Sequence, residues 1–137
     1  MYKINAFIVI YLMFKSCFVT AQGGTIVDEL IAENAEVVSR MVADGMNLSI
    51  PYEVEFIAVF PTEEAADQVA MLYVVDSKAG NKFKNIETRP GEEGEMELLL
   101  VKSMLVTAPG ITEFEIQLIE RAKMHGGYAD GWGVLSE

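Results

Sequence analysis

The stretch PYEVEFIAVFPTEE, residues 51–64, changes its hydrophobic period half-way along. Val54, Phe56, Ala58 and Phe60 alternate with Glu53, Glu55, Ile57 and Val59. Period two with β-branched and aromatic residues predicts a strand, and its second half is apolar on both faces. Pro61-Thr62 ends it. Thr62 suits the N-cap of a helix, and Glu63 and Glu64 suit the positive end of the helix dipole. That helix carries Ala66, Val69, Ala70 and Tyr73 on one face and stops near Gly80-Asn81. An amphipathic helix following a strand this closely has to fold back onto the sheet to bury its stripe.

The flanking segments extend this unit. KFKNIETRP and EMELLLVKSMLVT read as two further strands. GEEG, just after Pro90, is a turn sequence that makes them a hairpin. TEFE at 112–115 has the pattern of a capping box, with Thr112 as cap and Glu115 three residues on. Ile111, Phe114, Leu118, Ala122 and His125 then form one helical stripe, ended by Gly126-Gly127. YADGWGV is a short last strand. Upstream, from Val27, residues Leu30, Ile31, Val38, Met41 and Val42 share a helical face, with Asp28, Glu29, Glu33 and Glu36 largely outside it. Asn34 sits inside that stripe, as a cap or against a polar group. Asp44-Gly45 stops the helix. The predicted fold is α+β. It is a ferredoxin-like βαββαβ antiparallel sheet with helices on one face, preceded by an N-terminal amphipathic helix.

The 137 residues suit one domain, and the net charge of -11 narrows its partners. The ten Lys and Arg residues form no basic patch, so direct nucleic-acid binding is not expected. Phe56 and Phe60 could offer stacking surfaces for RNA, but their neighbours are glutamates. An acidic surface meets a basic protein or keeps the chain soluble.

Residues 1–21 have the marks of a secretory signal peptide. Lys3 is the basic start, Ile4 to Phe14 the apolar core, and Val19 with Ala21 the small-residue cleavage site. These eleven residues, interrupted only by the polar Asn5, are too few to span a bilayer, which needs about 20. The expected organisation is a signal peptide at 1–21 and a domain at 22–137, exported to the periplasm or beyond. A cytoplasmic location follows instead if residues 1–21 are retained. Cys17 is the sole cysteine and lies in the leader, so the domain is expected to have no disulfide and no thiolate zinc site.

The sequence points to no catalytic chemistry. His125 is the sole histidine, and at a helix end its protonated form would stabilise the negative dipole end. No serine sits in a GxSxG motif. GEEGEME lacks the DxDxDG spacing of a calcium loop. Gly126-Gly127 follows a helix instead of opening one, so it makes no phosphate cradle. Asn47-Leu48-Ser49 matches a glycosylation acceptor, a match common by chance. No catalytic residue, cofactor or metal is expected.

EEAADQVA at 63–70, ETRPGEEGEMELLLVKSMLVT at 87–107, ITEFEIQLIERAKMHGG at 111–127 and YADGWGV at 128–134 together resemble the RraB family, regulator of ribonuclease activity B. DGMNLSIPYEVEFIAVFP at 44–61 resembles the beginning of the same domain. The most specific piece is the Tyr-x-Asp-Gly-Trp-Gly ending, here Tyr128, Asp130, Gly131, Trp132 and Gly133. The resemblance implies a small acidic ferredoxin-like protein. It further implies a non-enzymatic module that binds an endoribonuclease of the ribonuclease E type and inhibits it. The signature is read as structural, with the glycines shaping the backbone and Trp132 buried. The best-known family type is cytoplasmic, which the export signal contradicts. The alternative reading is an exported acidic module that neutralises a basic protein such as a toxin.

Overall fold

The computed structural model describes residues 7–9 and 26–136. The order of elements is β1 (Phe7–Val9), α1 (Ile26–Ala43), β2 (Tyr52–Phe60), α2 (Glu63–Lys78), β3 (Asn85–Pro90), β4 (Met96–Met104), α3 (Ala108–Met124) and β5 (Tyr128–Ser136). The strands form one sheet in the order β1-β5-β2-β4-β3, antiparallel at every step. From β2 onward this is the predicted βαββαβ unit. Its order β5-β2-β4-β3 is that of a split βαβ, in which β4 lies between β2 and β3. The proposed leader lies outside the described residues except for Phe7–Val9, whose backbone pairs with Val134–Ser136 at the β5 edge.

Local signals account for most boundaries. The Thr62 hydroxyl accepts from the Ala65 N–H at 3.1 Å and caps α2. α1 ends where Gly45 takes a φ of 91° and the Met46 N–H reaches back to the Met41 carbonyl at 3.0 Å. That is the bond pattern of a Schellman stop, which L side chains rarely permit at this position. The hairpin between β3 and β4 closes through the Gly91 N–H to the Glu95 carbonyl at 2.7 Å.

Two expectations need correction. Thr112 and Glu115 are not a capping box. The N-cap of α3 is Thr107, whose hydroxyl accepts from the Gly110 N–H at 3.1 Å. Pro109 occupies the first turn, where a missing N–H costs nothing, so the helix starts earlier than Thr112. Thr112 and Glu115 therefore lie inside the helix, and both are buried. In α1 the buried set is Leu30, Asn34, Val37 and Met41, while Ile31 and Val42 are 38% and 57% exposed. The physical reason is a narrow contact. α1 packs mainly against α3, so only the seam at spacing 4-3-4 is covered.

All three helices lie on one face of the sheet. Phe56 of β2 packs on Phe114 of α3 at 4.2 Å between ring centres. Thr88 of β3 donates to Asp67 of α2 at 3.1 Å, and Trp132 of β5 reaches Asn34 of α1. Between these layers lie Phe56, Phe60, Tyr73, Leu98, Leu100, Ile111 and Leu118, all buried. Arg121 ties α3 to α2 through Asp76 at 2.7 Å, with its guanidinium 4.6 Å from the centre of the Tyr73 ring.

Candidate functional site

A buried polar network joins three elements. The Trp132 Nε1–H donates to Asn34 Oδ1 at 3.0 Å. Asn34 Nδ2 donates to Glu115 Oε1 at 2.7 Å and to Thr112 Oγ1 at 2.9 Å. The Thr112 hydroxyl in turn donates to the Ala108 carbonyl at 2.6 Å. The amide orientation follows from its partners, because an indole can only donate and a carboxylate only accept. Asn34, Thr112, Glu115 and Trp132 are each 2% exposed or less, so no substrate reaches this network as the chain stands. Its work is structural: it locks α1 onto α3 and β5 in one register.

The Tyr-x-Asp-Gly-Trp-Gly segment builds the β5 side of that lock. Ala129 and Trp132 are three residues apart, so a regular strand would send them to opposite faces. The pairing shifts between them. Ala58 faces Ala129 but Ile57 faces Gly131, which leaves Asp130 as the extra residue of a bulge. Gly131 takes a φ of 154°, a conformation L side chains rarely adopt. The bulge brings both Ala129 and Trp132 to the helix layer. Tyr128 is exposed on the other face, Asp130 is exposed, and Gly133 pairs with Glu55.

The face of the sheet opposite the helices carries the charge. Register places Arg89, Glu97, Val59 and Tyr128 in one row across the sheet. Glu87, Leu99, Ile57 and Gly131 form the next, and Asn85, Val101, Glu55 and Gly133 the third. Arg89 Nε meets Glu97 Oε1 at 3.0 Å. Glu55 is partly buried, and burial raises its pKa above the ordinary 4.5. Arg89 opposes that rise, and Glu97 and Glu87 add to it.

The pH consequence follows from linkage. A carboxyl with a raised folded-state pKa binds more protons folded than unfolded. Stability is therefore greatest below 4.5 and falls as pH rises through the folded value. Glu55→Gln is expected to be more stable than the parent at pH 7, with the gain fading below 4.5. Urea denaturation of both proteins across that range checks it. A gain that persists in acid would show that the charge of Glu55 is not the cause.

His125 is the C-cap residue of α3, with its backbone N–H on the Ala122 carbonyl at 3.0 Å. Among the described residues no group of three or more His, Cys, Asp or Glu could hold a metal ion. No helix among them is long and apolar enough to cross a membrane.

Residues 31–134, which hold the bulged Trp132 strand and the charged sheet face, match the family model of RraB, regulator of ribonuclease activity B. The chain belongs to the RraB family. The matched region runs from α1 into β5, so it contains all four residues of the buried network. No curated protein matches the chain. In this RraB domain Trp132 and Gly131 have identifiable structural work. Sequence reading singled them out but missed Asn34, Thr112 and Glu115 as their partners. The signal that could have found them was a polar residue inside each of two apolar helical stripes.

Proposed function

We propose that this RraB-family protein is a non-enzymatic regulator that binds a ribonuclease of the ribonuclease E type and inhibits it. The observation that carries the reading is the family match over residues 31–134. The acidic sheet face supports a protein partner in preference to RNA, since Glu53, Glu55, Glu87 and Glu97 would repel phosphates. The test adds purified full chain to a ribonuclease E-type enzyme cleaving labelled RNA. The expected result is a cleavage rate that falls as the protein approaches stoichiometric amounts, with no cleavage by the protein alone. RNA turnover by the protein without the enzyme would overturn the non-enzymatic reading. An unchanged rate with no complex formed would overturn the partner.

The leader pattern of residues 1–21 favours a second reading, an exported acidic module that neutralises a basic protein. Mass spectrometry of the N-terminus from fractionated cells separates the two. A chain beginning at Gln22 outside the cytoplasm favours export, and a full-length chain in the cytosol favours the ribonuclease regulator.

A further inference from the structure

Helix α2 is apolar on two faces. Ala66, Val69 and Tyr73 are buried against the sheet. On the opposite side Met71 and Val75 are 59% and 58% exposed. They belong to a strip of Glu64, Gln68, Met71, Val75 and Lys78, all exposed. Its spacing of 4-3-4-3 is that of the seam between two packed helices. Sheet packing does not explain this strip, because it points away from the core.

The strip is electrically polar along its length. Glu63, Glu64 and Asp67 stand at the N-terminal end. Lys78 stands at the other, followed by Lys82 and Lys84, and all six are exposed. Met71 lies midway between Glu64 and Lys78. A helix rises 1.5 Å per residue, so each charged end is about 10 Å from Met71. Turning a second copy end for end about Met71 puts its Lys78 opposite Glu64 and its Glu64 opposite Lys78. The surface is thus complementary to itself, which is the requirement for a two-fold contact. A purely basic partner would match only the acidic end and would meet the lysines with like charge.

We propose that the outer face of α2 is a self-association surface on which a second copy of this chain docks antiparallel, with Met71 against Met71 of its mate and Val75 of each copy beside Gln68 of the other. The contact is one helix wide and the net charge of -11 opposes it, so the dimer is reversible and concentration-dependent. The proposal is independent of which partner the protein regulates.

Sedimentation equilibrium of the full chain at low salt, from micromolar to millimolar concentration, tests it. A reversible monomer–dimer equilibrium is expected. The double variant Met71→Glu, Val75→Glu should stay monomeric with an unchanged circular dichroism spectrum, since both positions face outward. Glu64→Lys and Lys78→Glu should each weaken dimerisation roughly tenfold, because each breaks two symmetric charge pairs and creates repulsion. Combining them in one chain should restore it. Within one chain these residues sit 14 positions apart along a helix, about 21 Å, so restoration can arise only between copies. A chain that stays monomeric at every concentration overturns the proposal. So does a dimer indifferent to the double glutamate variant, or a charge-swapped pair that stays as weak as its single variants.

Discussion

Trp132→Ala is expected to destabilise the domain by about 3–5 kcal/mol, the range for emptying a buried aromatic site. Trp132 is 2% exposed and belongs to the core beside Val134 and Phe56. The loss has two parts. One is the indole volume, which the surrounding β5 and α1 side chains cannot fill. The other is the orphaned Oδ1 of Asn34, which the Trp132 N–H satisfies at 3.0 Å. Trp132→Phe separates them. It keeps most of the packing, loses the hydrogen bond, and should cost about 1–2 kcal/mol. Denaturant titration of the three proteins measures both. A loss below about 1 kcal/mol for the alanine variant, the range of surface changes, would place Trp132 outside the core.

Asn34→Asp is expected to be as damaging at neutral pH, and to recover in acid. Asn34 presents an N–H to the Glu115 carboxylate at 2.7 Å. The substitution puts a second carboxylate at that distance in a buried site and removes the donor. A buried charge left without compensation costs about 3–5 kcal/mol. Two carboxyls this close can share one proton, so the introduced group is protonated more readily in the folded state than in the unfolded chain. Its folded pKa is raised, so stability is lost as pH rises and regained as pH falls toward about 4, the ordinary aspartate range. Asn34→Leu is the control. It cannot ionise, so its loss should show no acid recovery relative to the parent. Thermal melts of the three proteins at neutral and acidic pH decide the matter. Equal losses for both variants at every pH would rule out charge repulsion as the cause.

These two residues also mark where sequence reading succeeded and where it stopped. Trp132 was expected in the core, and the bulge that puts it there turns on one extra residue, Asp130. Period-two counting on YADGWGV cannot show that shift, because the count itself is what the bulge breaks. Asn34 stood out as polar within an apolar stripe. Its partners Thr112 and Trp132 lie 78 and 98 residues away, beyond any local pattern. Thr112 and Glu115 matched a capping box in letters and spacing, yet Thr107 with Pro109 made an earlier cap. Two overlapping start signals compete for one helix, and the earlier one prevails because Thr107 caps it and Pro109 suits its first turn.

What the sequence determined by itself was whatever physics acts over a few residues. Thr62 caps a helix through its own third-neighbour N–H, Gly45 stops one, and β2 alternates because successive side chains point to opposite faces. Those local rules, taken in order, are enough for the βαββαβ ferredoxin-like arrangement. Only the tertiary structure decided which polar residues are buried together and how much of the apolar stripe of α1 is covered. Those outcomes depend on how helices and sheet meet across the whole chain. Leu30 and Ile31 look alike as apolar letters on one stripe of α1, and only the position of α3 makes one core and leaves the other partly exposed.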